Sequence, residues 1–292
     1  MIDLHCHTNC SDGTLSPLEV IDLAMATGLQ ALAITDHDTF EGYDLARPLA
    51  LEQGLELLCG IELGTRLANV KRSAHLLGYF LLEPEAELRT WLLQLQISRR
   101  ERNAELLERL QQQGIDITWE QLRAKAQKQI GRPHFAQVLL ESGRVQSLKE
   151  AFDLYLAESG SAWTQRDEPS TEEAIGRIVK AGGVASLAHP VRLSRDMETL
   201  SAIIATLVPA GLAAVECYHI EHTAEETRQL LDIAAAHGLA ATGGSDFHGA
   251  NKPGISLGTG DSSLAVPLEL LVELKRRLRD AANNRPGCAT FR

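Results

Sequence analysis

Seven short apolar runs punctuate the chain: Ile2–Thr8, Ala31–Thr35, Leu55–Ile61, Ala74–Phe80, Val184–Ala188, Leu212–Tyr218 and Ala240–Gly244. Continuous aliphatic stretches of this length, bounded by polar turns, read as buried strands. Amphipathic stretches with clear helix ends lie between most of them. Ser16-Pro17-Leu18-Glu19 joins a capping box to a proline at the first helical position, and Gly28 can stop that helix. Ser170 with Glu173 opens another helix, ended by Gly182-Gly183. Thr223 with Glu226 opens a third, closing near His237-Gly238. Pro267–Asn284 reads as a closing amphipathic helix, with Lys275-Arg276-Arg277 suited to its negative end. The alternation predicts an α/β fold of parallel strands with right-handed crossovers.

From about Glu85 to Ala157 this rhythm stops. Leu106, Leu107 and Leu110 follow helical spacing and Gly114 ends their run, while no strong strand separates Phe80 from Val184. A helical insertion is therefore expected between the fourth and fifth strands. The predicted division is a barrel over 1–84 and 158–292, with 85–157 as a helical insertion domain that caps it.

A chain of 292 residues suits one large domain carrying such an insertion, and 44% hydrophobic content is ample for a core. The net charge of −11 argues against a grip on long double-stranded nucleic acid. Ile97–Phe135 inverts the balance, with eight Lys/Arg against five acidic residues. A basic cap would attract an anionic substrate; a solvated helical face is the plainer account of most of these charges. The five cysteines (Cys6, Cys10, Cys59, Cys217 and Cys288) are odd in number and lack framework spacing. With a strand starting just after Met1, we expect no export signal, reduced thiols and a cytoplasmic protein. No apolar run approaches the ~18 residues of a membrane span.

Six of the seven runs carry, or end in, a residue able to bind a metal. His5 and His7 alternate on one strand face, which directs Cys6 to the other. Asp12 follows on a loop, Asp36-His37-Asp38 ends the second run and Glu62 the third. His75 sits in the fourth run, His189-Pro190 ends the fifth, and Asp246 and His248 follow the seventh. Strand ends converge on the catalytic face of a β/α barrel, so these groups are expected to meet. Imidazoles with carboxylates suit Mn, Fe or Zn, and the lack of ligating cysteines argues against a structural zinc.

Asp3-Leu4-His5-Cys6-His7-Thr8, with Ser11-Asp12-Gly13 and Pro17, closely resembles the opening motif of the polymerase-and-histidinol-phosphatase (PHP) superfamily. Thr35-Asp36-His37-Asp38, Gly60-Ile61-Glu62, Ala188-His189-Pro190 and Ser245-Asp246-Phe247-His248-Gly249 match its later motifs in order. Gly131-Arg132-Pro133-His134 in the insertion is similar to a segment of the TrpH-like branch. The resemblance implies a distorted (β/α)7 barrel and three divalent ions, manganese foremost, with Fe2+ or Zn2+ served by the same donors. His5, His7, Glu62 and Asp246 would hold the first ion, with Glu62 bridging to a second held by His75 and His189. Asp12, His37 and His248 would hold the third.

The implied activity is removal of phosphate from nucleoside 3′,5′-bisphosphates, with 5′→3′ trimming of short oligoribonucleotides. Such ions activate water and polarise phosphoryl oxygens. Glu62 and Asp246 would be central to catalysis, and Asp36 and Asp38 would orient histidines, unless Asp38 merely caps a helix. Arg132 and Arg192 are expected to grip phosphate, and His134 to bind it or protonate the leaving group. Tyr218 and His219 are candidate pocket residues, whereas His222 and His237 read as surface or helix-end residues. The rival readings are a histidinol-phosphate phosphatase, an amidohydrolase and a non-catalytic metal-dependent nucleotide-binding regulatory domain. The expected partner is a small phosphorylated nucleotide or a short RNA, with no membrane and an undetermined oligomeric state. The amidohydrolase reading is weakened because the fourth run lacks the lysine that usually bridges ions there.

Overall fold

The computed structural model describes residues 1–68, 70, 73–81, 83–126 and 128–283; Cys288 and Asn284 lie outside them. All seven runs form strands of one sheet, in chain order: β1 (Ile2–Cys6), β2 (Ala31–Ile34), β3 (Glu56–Arg66), β4 (Ser73–Phe80), β5 (Val184–Leu187), β6 (Leu212–Tyr218) and β7 (Ala240–Gly243). The helices α1 (Pro17–Ala26) and α2 (Glu41–Gln53) follow the first two strands. Then come α3 (Ala86–Gln112), α4 (Trp119–Lys125), α5 (Arg132–Glu141) and α6 (Leu148–Ala151). The remaining helices are α7 (Thr171–Lys180), α8 (Met197–Leu207), α9 (Ala224–Ala236) and α10 (Glu269–Asn283). The capping boxes at Ser16 and Thr223 form, and Ser170 caps α7.

The expectation of parallel strands throughout is corrected at β4. It pairs antiparallel with both β3 and β5, while the other ladders are parallel. The reason is chain length. A parallel neighbour needs a crossover of about a dozen residues or more, and Arg66 and Ser73 are too close in sequence for one. β3 also runs on past Ile61 to Arg66, so Glu62 lies inside a strand rather than at its end. Because β4 is reversed, its beginning, where His75 lies, reaches the same edge as the ends of its neighbours.

The sheet closes from β7 to β1 through the segment after β7, not through a ladder. The Asp246 N–H donates to the His5 carbonyl at 2.8 Å and the His7 N–H to the Phe247 carbonyl at 2.9 Å. Gly244 permits this approach, since a Cβ there would lie 2.4 Å from the His5 nitrogen. At the opposite end, Leu271, Leu274 and Leu278 of α10 pack with Ile2, Ala31, Val184 and Ala240 at the strand beginnings. Cys6 turns away from the histidines into a cluster with Val20, Ile21 and Ile34. The result is a seven-stranded distorted barrel with its catalytic-type edge open.

The helices after β4 build a core of their own. Leu106, Leu107 and Leu110 of α3 join Ile117, Leu122, Phe135 and Leu139. The first half of α3 belongs elsewhere: Leu88, Trp91, Leu92 and Leu95 pack with Ile175 and Ile178 against the sheet. One helix thus packs in both cores. Gly114 ends its run with φ +75°, as its position suggested. Leu110→Ala would remove a fully buried side chain from the inserted core and should cost about 2–5 kcal/mol, read as a lowered urea midpoint.

Candidate metal centre

Glu62 is the hub of the open edge. It is 1% exposed, and its two oxygens face five imidazoles. Oε1 lies 2.7 Å from His75 Nδ1 and 3.1 Å from His189 Nε2. Oε2 lies 3.1 Å from His7 Nε2, 3.3 Å from His37 Nδ1 and 3.5 Å from His5 Nε2. The His75 contact depends on the reversed β4: Gly64 pairs with His75 across the ladder, which makes Glu62 its diagonal neighbour.

Two further carboxylates complete the set. Asp246 Oδ1 lies 3.5 Å from both His5 Nε2 and His7 Nε2 and 3.4 Å from His248 Nδ1. Asp12 lies 3.3 Å from His248 Nε2 and 3.7 Å from His37 Nε2. The nine residues expected to hold metal are therefore brought together. They fall into three groups whose donor atoms lie within 4.8 Å of one another: His5, His7 and Asp246; Glu62, His75 and His189; and His7, Asp12, His37 and His248.

The donors are suited to cations. His5 Nε2, His7 Nε2 and His37 Nδ1 are buried without any hydrogen-bond partner, an expensive state unless something else accepts their lone pairs. Burial pushes the Glu62 carboxyl up, but the imidazoles of His37, His75 and His5 outweigh it and hold it well below the usual range. Asp12 behaves likewise: burial is outweighed by His248 and His37. Burial drives His37 down to about 3, against the pull of Glu62 and Asp12.

A layer of buried groups aims these donors. Glu216 of β6, wholly buried, sits 2.9 Å from His5 Nδ1 and accepts the His189 N–H at 2.6 Å. It was missed in the sequence; the available signal was a charge inside an apolar strand. Asp3 accepts the Ser245 N–H and hydroxyl and the His5 N–H, tying β1 to the Asp246 segment. Asp36 accepts the Thr8 N–H and the Ser11 hydroxyl, and Ser11 Oγ lies 3.4 Å from His7 Nδ1. Asp36 thus acts on a histidine through a serine. Asp38 neither orients a histidine nor caps α2. With φ +56° it turns toward α3 and the segment before α7, where its Oδ2 takes Arg99 at 2.7 Å and Arg166 at 2.8 Å.

A cavity of about 320 Å³ lies over the donors, with Arg99, Arg102, Arg132 and Arg166 facing Asp12, Glu62, His75 and Asp246 across it. Arg99, Arg102 and Arg166 were also missed. The sign of them was arginine at positions 99 and 102, where the α3 stripe of Leu92, Leu95, Leu106 and Leu110 calls for apolar residues. Arg192 lines the cavity too, but Glu221 and Asp246 already hold its guanidinium. Lys252 Nζ lies 2.5 Å from Asp246 Oδ2. His134 does not line the cavity: it is buried behind Gly131 and Pro133, which do, with its Nδ1 accepting the Gly131 N–H at 2.9 Å. Tyr218 and His219 do not line this cavity; His219 lies beneath it, 3.4 Å from Asp246 Oδ2. His237 closes α9 against Ser201, and His222 sits 3.0 Å from the Cys217 carbonyl.

The PHP domain family matches residues 3–183, well over half the chain. The chain belongs to the PHP domain family. Among the relatives of this PHP protein is the 3′,5′-nucleoside bisphosphate phosphatase of Chromobacterium violaceum, 31% identical over 95% of this chain and 97% of the relative. The 5′-3′ exoribonuclease of Haemophilus influenzae is 34% identical over 84% of this chain and 89% of the relative. A solved structure of a candidate metal-dependent phosphoesterase from Bifidobacterium adolescentis superposes with a TM-score of 0.82 at 32% identity, covering 94% of this chain and 96% of its own. PHP membership and the three donor groups make divalent metal ions the cofactor class of the site. No helix among the described residues is long and apolar enough to cross a membrane.

Glu216→Gln should weaken metal binding by about 10–100-fold and leave the far-UV circular dichroism unchanged. Titration of the metal-free protein, followed by elemental analysis, measures it; unaltered affinity would remove Glu216 from the site.

Proposed function

We propose that this protein hydrolyses the 3′-phosphate of nucleoside 3′,5′-bisphosphates, giving nucleoside 5′-monophosphate and phosphate, and trims short oligoribonucleotides 5′→3′. The observation that carries this is the pairing of two opposed features: donors in three groups below, and unpaired arginines above. The named activities of the relatives support it.

Three ions, manganese foremost with Fe2+ or Zn2+ as substitutes, would be held by the residues assigned in the sequence: His5, His7, Glu62 and Asp246; Glu62, His75 and His189; Asp12, His37 and His248. When bound, they supply an activated water and polarise the phosphoryl oxygens. The chain's own residues place the substrate. Arg102 is 7% exposed, its Nε has no partner, and among the described residues it forms no ion pair. Arg132 also lacks one among the described residues; Glu168 is the acid close enough to act on both, without a salt bridge to either, which leaves both guanidiniums open to an anion. Above Gly64, Glu168 Oε1, Arg166 Nη1 and His75 Nε2 all lie within 4 Å of one point, so the arginine wall there carries one acid beside the metal donors. A substrate can therefore touch the arginines and the metal donors at once, the 5′-phosphate against Arg102, Arg132 and Arg166 while the 3′-phosphate meets the metal side. Arg192, held beside Asp246, closes the wall near the 3′-phosphate. His134, with Nδ1 accepting a backbone N–H, carries its proton on Nε2, but from behind the cavity wall it does not meet phosphate or the leaving oxygen.

Residues 85–157 act in this reading as a substrate cap. The small cavity and the net charge of −11 suit a nucleotide or a strand end rather than a long duplex. Cys6, Cys10, Cys59 and Cys217 are buried free thiols, in keeping with a cytoplasmic setting.

Phosphate release with added manganese tests the reading. Adenosine 3′,5′-bisphosphate should be turned over faster than histidinol phosphate, and Asp246→Asn should lose more than the ~10–100-fold typical of a lost supporting group. Preference for histidinol phosphate would overturn the substrate, and absence of any turnover in a metal-loaded sample would favour a regulatory domain. Arg102→Ala should raise the KM for the bisphosphate at least ~10-fold; an unchanged KM would place the second phosphate elsewhere.

A further inference from the structure

A second hollow, of about 580 Å³ against about 320 Å³ for the catalytic cavity, opens between α3, α4 and the loop after β2. Its walls carry Arg99, Arg100, Arg123 and Lys128 against one acid, Glu41, in a chain whose net charge is −11. Arg99 and Lys128 are engaged with Asp38 and Glu41. Arg100 and Arg123 are exposed and, among the described residues, form no ion pair. Trp119, half-buried at the start of α4, presents an aromatic surface to the same hollow. At its base lies Asn103, 2% exposed. Its Nδ2 donates to the Ile130 carbonyl at 2.7 Å, which leaves Oδ1 buried with no partner. A buried acceptor left without a partner in the chain is costly until a donor reaches it.

The hollow adjoins the metal centre across a shared rim. A constriction of about 10 Å³ lined by Ser11, Asp12, His37, Arg99, Gln129, Ile130 and Gly131 lies between them, so a strand would pass over the rim, not through it. It shares Asp12, His37 and Arg99 with the catalytic cavity, and Arg99, Gln129 and Ile130 with the hollow. A strand leaving the Asp12–His37 side of the centre would cross this rim and enter basic, aromatic-walled space. Cations tracking a backbone, an aromatic for stacking and a buried acceptor are the ingredients of single-stranded RNA binding, with the 2′-hydroxyl as the matching donor.

We propose that this groove binds the single-stranded RNA that continues 3′ of the bond being cut, through Arg100, Arg123, Trp119 and Asn103. The proposal rests on the trimming activity inferred above and goes beyond it, because mononucleotide hydrolysis does not use the groove. Bound there, each added nucleotide strengthens association until the groove is filled.

The test compares the manganese-loaded protein with an Arg100→Glu/Arg123→Glu variant on 5′-phosphorylated di- to octaribonucleotides and on adenosine 3′,5′-bisphosphate. The wild-type KM should fall with length and then level off. The variant should lose this dependence, with a KM for the hexamer raised at least ~10-fold, while kcat and KM for the bisphosphate stay within about twofold. A length-independent wild-type KM, or equal effects on hexamer and bisphosphate, would overturn the groove. Anisotropy of a 3′-labelled hexaribouridylate without added metal separates this from failure of the phosphatase reading. There the variant should bind at least ~10-fold more weakly, with a salt slope shallower by about two. Equal binding by the two proteins would reject the proposal whatever their activities.

Discussion

Everything at the open edge of this barrel answers to one buried carboxylate. Glu62 lies out of water with the rings of His5, His7, His37, His75 and His189 around it. Removing so many polar groups from solvent is unfavourable by itself, and hydrogen bonds among the donors leave three ring nitrogens unsatisfied. Cations resolve the conflict, because they satisfy lone pairs and compensate carboxylate charge together. The site is therefore a place where folding and metal binding share one free energy.

The rest of the barrel can be understood as the machinery that holds this unfavourable cluster still. Glu216 links His5 to the backbone of His189, so two strands distant in sequence aim at one point. Asp3 joins β1 to the segment carrying Asp246, and Asp36 reaches His7 through Ser11. Each brace fixes a ring or a carboxylate whose neighbours in space come from other strands. Reversal of β4 belongs to the same logic, since it alone brings His75 to the edge where Glu62 waits.

The inserted helices answer the cations with charge of the opposite role. α3 is anchored by apolar residues at both ends, and between them it carries Arg99 and Arg102 toward the centre. Asp38, next to His37, is the electrostatic clasp that joins the two parts through Arg99 of α3, with Arg166 of the segment before α7 on the same oxygen. An anion with phosphate-like charge would relieve the unpaired guanidiniums. Overall acidity is no obstacle to this, because Arg99, Arg102, Arg132 and Arg166 line the cavity together.

The seven strands, the helix caps and the metal-binding residue types could be read from the chain alone. Apolar runs, capping side chains and His-x-His alternation are local properties, and local periodicity survives in a one-dimensional record. Tertiary structure decided the direction of β4, the extension of β3 through Glu62, the bracing by Glu216 and the arginine roof. Those features arise where residues far apart in the chain share buried space, so their partners, not their own sequence neighbours, give them meaning.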